Sequence, residues 1–206
     1  MPYNEIHLYL IDMMYGMLAI ATFIIIERVI YYSASLKEGK WIEEILQKDL
    51  SDKKILAEIK ARPLAKKAPQ SQMMYELIKG LNKKTMPFDA LTSLVQTIYF
   101  SRQTAVSRYL WVIETITILA PLFGLLGTIC GIIETFHSLA AAGNSDPAGV
   151  SKGIGDALFA TGVGIAIAIY GLTFYNYFSH KVSYINNQMK MISMFFLSHR
   201  DEGDES

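Results

Sequence analysis

The stretch Thr115–Ile133, TITILAPLFGLLGTICGII, decides what kind of protein this is, because its 19 residues carry no charge. A helix that crosses the hydrocarbon core of a bilayer needs about 20 mostly apolar residues, so the stretch reads as a membrane span. Lipid alone would ask only for large apolar side chains. Yet residues 120–131, APLFGLLGTICG, hold a proline, three glycines and a threonine. Those small and polar residues need something other than lipid to face.

Working outward, residues 157–179 supply a second uncharged run of 23, and Leu8–Ile30 a third span in which only 13–26 are free of charge. With 51% apolar and 18% charged residues, the chain is too apolar for an ordinary water-facing surface. No lysine or arginine precedes the first apolar segment and no small-residue cleavage site follows it, so that helix is expected to stay as an anchor. The single cysteine, Cys130, lies inside a span and reads as core packing.

The net charge is zero, but 15 of the 19 Lys and Arg fall between Arg28 and Arg108, one (Lys152) lies between the last two spans, and three follow the third. Short loops rich in Lys and Arg stay on the cytoplasmic side. The expected protein is therefore an all-α integral membrane protein with its N-terminus outside and its C-terminus in the cytoplasm. Its expected divisions are 1–30, an N-terminal segment and first transmembrane helix; 31–110, a cytoplasmic helical domain; 111–138, the second transmembrane helix; 139–152, a short external loop; 153–179, the third transmembrane helix; and 180–206, a cytoplasmic C-terminal helix with an acidic tail.

Apolar residues recur at three- and four-residue spacing in WIEEILQKDL, DKKILAEIKA and QMMYELIKGL, which predicts helices. The bend should lie in RPLAKKAPQS, with Pro63 as the breaker. In NKKTMP, Thr85 can cap and Pro87 can sit in the first turn of a new helix. No obvious stop follows, so one helix is expected from Phe88 to about Phe136, roughly 70 Å long. The third span likewise continues into HKVSYINNQMKMISMFFLSHR, leaving DEGDES as a loose tail. Two of the three spanning helices should thus extend far into the cytoplasm. The lysines between the first two spans are interleaved with acids, which marks a solvated helical bundle and gives no reason to invoke nucleic acid.

On the second span Ala120, Gly124, Gly127/Thr128, Gly131 and Thr135 make one narrow face, and Gly153, Ala157, Ala160/Thr161, Gly164, Ala168 and Gly171 make another on the third. Small residues let membrane helices approach closely, so these faces suit helix packing. Thr128 and Thr161 lie about equally far from the external loop, some 14 Å deep along their helices. Each hydroxyl could bond its own helix backbone; two at one depth also suggest a polar belt on an interior surface. Pro121 removes a backbone hydrogen bond and can bend its helix. Three carboxylates stand near span ends: Glu114 inside, and Glu134 and Asp156 outside. Snorkelling to the interface and a functional role both fit them. The middle of every span is free of ionisable residues. His137 and His180 sit at opposite membrane edges, and no HExxH, GxSxG or paired-cysteine pattern occurs, so no enzyme, metal or cofactor is expected.

The segment APLFGLLGTICGIIETF, followed after a short loop by GIGDALFATGVGIAIAIYGLTFYNYFSHKV, resembles the signature region of the MotA/TolQ/ExbB proton-channel family. IERVIYY after the first span is similar to its ExbB-type members, and flagellar MotA-type members have four spans, so the likeness is to ExbB or TolQ. The resemblance implies a protein of the bacterial inner membrane, its N-terminus and short external loop periplasmic, that forms a homo-oligomeric ring, typically a pentamer, around the transmembrane helices of a single-span ExbD/TolR-like partner dimer that carries the proton-binding aspartate. Thr128 in GLLGT and Thr161 in ALFAT match the family's pore-lining threonines, and Asp156 matches a position usually occupied by glutamate at the pore mouth. The complex would turn proton flow into movement of the partner and pass force to a TonB- or TolA-like protein that acts on outer-membrane transport or integrity. A passive membrane scaffold, and an ion pore acting without a partner, are the rival readings.

Overall fold

The structure, a computed structural model, describes residues 3–47, 52–62, 68–81, 87–142 and 147–204. All regular structure among them is helical: α1 (Tyr3–Gln47), α2 (Asp52–Ala61), α3 (Pro69–Leu81), α4 (Phe88–Val106), α5 (Leu110–Ala142) and α6 (Pro147–Asp204). Three helices contain stretches long and apolar enough to cross a membrane: Tyr9–Leu46, Leu110–Ala141 and Pro147–Ser198. Two of them, α1 and α6, run well past their uncharged cores. WIEEILQ does not start a helix of its own but continues α1 without a break, and α6 reaches Asp204 inside the segment read as a loose tail.

The unbroken helix expected from Phe88 to Phe136 is corrected by the structure, which ends α4 at Val106 and starts α5 at Leu110. Ser107 closes α4, its N–H donating to the Gln103 carbonyl. Tyr109 then adopts φ of 68°, a left-handed conformation uncommon outside glycine. Pro87 occupies the N-cap position of α4 instead of its first turn. Pro63 and Thr85 lie outside the described residues.

The chain forms two compact units. One comprises Met1–Ile26 and Tyr109–Tyr177. Its core is Met14 and Ala21 of α1, Ile116 and Ala120 of α5, and Ala160 and Ile167 of α6. The polar side chains here are absorbed locally, as hydrocarbon depth demands: the hydroxyls of Thr22, Thr117 and Thr135 donate to the carbonyls four residues earlier, at 2.8, 2.9 and 2.8 Å.

The other unit comprises Glu27–Arg108 and Phe178–Ser206, and is built on large buried side chains, among them Tyr32, Met73, Leu77, Phe178, Ile185 and Met189. The Tyr32 ring lies 5.4 Å from that of Phe178, and its hydroxyl donates to the Val106 carbonyl at 2.9 Å. A chain of buried amides crosses this core. Gln70 Nε2 donates to the Ser35 carbonyl at 3.3 Å and to Gln188 Oε1 at 2.9 Å, and Gln188 Nε2 donates to Glu43 Oε1 at 3.0 Å. Gly39 makes room for it, since a Cβ there would collide with the Gln188 amide.

Candidate functional site

The small faces of α5 and α6 meet each other. A Cβ on Gly124 would lie 3.0 Å from the Ala160 carbonyl oxygen and from Thr161 Cα, and one on Gly164 would lie 2.5 Å from the Ala120 carbonyl oxygen. Further along, Gly127 packs on Ala160, Gly171 on Thr117 and Gly153 on Thr135. The pairing is antiparallel, and backbone comes close to backbone where a glycine, Gly124 or Gly164, faces the partner helix. Gly131 is buried as well. Close helix packing therefore accounts for Gly124, Gly127 and Gly164 within a single chain.

The same register brings Thr128 and Thr161 to one level, since their neighbours Gly127 and Ala160 are in contact. Their hydroxyls do different things. Thr128 Oγ1 donates to the Leu125 carbonyl at 2.6 Å, inside its own helix, and the residue is only 8% exposed. Thr161 Oγ1 donates across to the Gly124 carbonyl of α5 at 2.9 Å, and stays half-buried. With each hydroxyl proton committed to a backbone carbonyl, what remains for any further group is the oxygen lone pairs. This level therefore presents acceptors, suited to a donor such as a protonated carboxylic acid.

Pro121 interrupts the hydrogen-bond ladder about one turn before Gly124, and the Thr117 carbonyl loses its usual donor; α5 nevertheless continues through it. The carboxylates are not gathered at the threonine level. Asp156 is exposed on α6 four residues before Ala160, Glu134 is half-buried near the far end of α5, and Glu114 is exposed at its start. Glu114 lies beside Tyr175 of α6, a pairing that spacing alone could not reveal because it depends on the inter-helix register.

Residues 63–191 match the model of the MotA/TolQ/ExbB proton channel family. The chain belongs to that family. The match covers more than half of the chain and extends beyond the signature segments into the helices that flank them. Within the family, the chain is 32% identical over 115 residues to a biopolymer transport protein ExbB homolog of Methanothermobacter thermautotrophicus, covering 55% of this chain and 39% of that one. It is 46% identical over 63 residues to an ExbB-like biopolymer transport protein of Synechocystis, covering 29% and 25%. It is 35% identical over 85 residues to the biopolymer transport protein ExbB of Salmonella typhimurium, covering 39% and 35%. The aligned part thus spans between a quarter and two fifths of the length of these relatives.

Proposed function

We propose that this member of the proton-channel family is the ring-forming subunit of an inner-membrane motor driven by the proton-motive force. An ExbD/TolR-like partner dimer sits in the ring, and a TonB- or TolA-like protein receives the work. The observation that carries the reading is the chemistry at the threonine level: hydroxyl oxygens left as acceptors, in spans whose centres hold no Asp, Glu, His, Lys or Arg. Hydroxyls ionise far above neutral pH and cannot carry a proton across some 30 Å of hydrocarbon depth. A carboxyl on another chain can, neutral when protonated and charged when released. A proton falling through about 150 mV delivers about 3.5 kcal/mol, enough to bias that partner toward the next identical subunit. In this scheme Thr161, the more accessible hydroxyl, accepts from the partner's protonated carboxyl, Thr128 holds a neighbouring position, and Asp156 sets the charge at the outer mouth. The termini are assigned as in the charge distribution, N-terminus periplasmic and C-terminus cytoplasmic.

Valine replaces threonine with nearly the same shape and no hydroxyl. Thr161→Val should leave assembly intact and lower energy-dependent transport at least tenfold, Thr128→Val less, with Asp156→Asn as a companion test of the mouth charge. Full activity in both threonine variants, measured as uptake of an outer-membrane cargo or resistance to detergent, would reduce this level to packing and favour the scaffold.

A further inference from the structure

Where α6 leaves its uncharged run at Ser179, the next residues are His180 and Lys181. Here α1 and α6 run side by side in the same direction, since Tyr32 packs on Phe178 and Gly39 faces Gln188. That pairing sets Lys37 and Lys40 of α1 within the two helical turns that follow His180. Leu36, Lys37, Lys40, His180, Lys181 and Tyr184 together line an open depression of about 430 Å³. No carboxylate is among these lining residues. Of the acids nearby on α1, Glu38 is paired with Arg62 at 3.4 Å and Glu43 accepts from Gln188 Nε2, while Glu44 lies one turn after Lys40.

We infer that this depression is a binding site for the phosphate of an anionic phospholipid headgroup at the end of the third span. Three features select a lipid. The depression begins at the residue where the uncharged run stops, within the depth of a headgroup layer, and long lysine side chains reach back toward it. Three lysines, Lys37, Lys40 and Lys181, line it together, with no carboxylate among the lining residues. Leu36 and the Tyr184 ring give it an apolar wall against which the glycerol end of a lipid can rest, which a small inorganic anion does not need. Each lysine held near an anionic surface is expected to favour binding about fivefold. An anionic lipid held there would tie α1 to α6 just outside the bilayer, independently of any proton movement in the spans.

The test uses the full chain, purified in mild detergent and placed in nanodiscs of phosphatidylcholine alone or doped with phosphatidylglycerol. Native mass spectrometry then counts the lipids that stay bound. The wild type should retain phosphatidylglycerol in preference to phosphatidylcholine. The triple variant Lys37→Gln, Lys40→Gln, Lys181→Gln should lose that preference by at least about tenfold, while Lys54→Gln, Lys60→Gln, Lys79→Gln, with the same loss of charge elsewhere, should keep it. Arginine at the three positions should restore retention, which guards against misfolding of the glutamine variant. Equal loss in both glutamine triples would make the effect one of net charge and overturn the site. Binding of inorganic phosphate by the detergent-solubilised protein, with no preference among lipids, would overturn the lipid assignment. A normal proton flux in the lipid-free variant is compatible with the inference, so its failure and that of the motor reading are read separately.

Discussion

The two compact units solve the same packing problem by opposite means. Between α5 and α6 the contacts are Gly124, Gly127 and Gly164 against backbone and Ala160, with volume removed so that chains can touch. In the unit of Glu27–Arg108 and Phe178–Ser206 the interior is filled by Tyr32, Met73, Leu77, Phe178 and Met189. The contrast follows from the solvent. Lipid tails are as apolar as leucine, so burying leucine gains little there and close approach is what stabilises. In water, area removed from solvent drives packing at about 25 cal/mol per Å². Polar groups follow the same division: threonine hydroxyls donate to backbone carbonyls in the first unit, and side-chain amides pair with one another and with Glu43 in the second.

The two units should therefore break under opposite substitutions. The largest effect is expected from adding volume in the membrane. In Gly164→Leu the first added carbon already meets the Ala120 carbonyl oxygen, a backbone atom that cannot step aside, so the variant should yield no folded protein in detergent by size-exclusion chromatography. A folded, fully assembled Gly164→Leu would mean that α5 and α6 are not in this register. Next comes removing volume in the other unit. Leu77 is fully buried in α3, and Leu77→Ala should cost about 2–5 kcal/mol, read as a lowered denaturation midpoint; an unchanged midpoint would argue that the α3 core is not packed as described. The smallest effect sharpens the polar half of the comparison. Gln188→Leu removes both of its amide's bonds, leaving Gln70 Nε2 with the Ser35 carbonyl alone and taking a donor from Glu43, at about 1–3 kcal/mol. No loss of stability would show that water replaces the amide without cost.

The sequence carried the membrane unit better than the other one. Three spans and the small faces of α5 and α6 were legible because a glycine or alanine every third or fourth residue in an apolar run has few other uses. Even the shared level of Thr128 and Thr161 followed from counting back from one loop. What spacing could not supply was the partner of each hydroxyl: that Thr161 bonds across to Gly124 while Thr128 stays within α5 depends on rotation of the helices about their axes. The stop between α4 and α5 was invisible because QTAVSRYLWV contains neither glycine nor proline, and Tyr109 takes up the turn all the same. Gly39 gave no signal either, since its reason is Gln188, 149 residues away in the chain.

The central claim is that the threonine level accepts a proton-bearing group and supplies none of its own. Its most direct test is proton flux into liposomes holding the purified homo-oligomer, under an imposed pH gradient, with and without an ExbD/TolR-like partner. The account expects flux near the empty-liposome background for this chain alone, a clear rise when the partner is present, and loss of that rise when the partner's intramembrane aspartate is replaced by asparagine. Rapid flux through the homo-oligomer alone, at a rate the partner does not increase, would contradict it and leave a lone pore in its place.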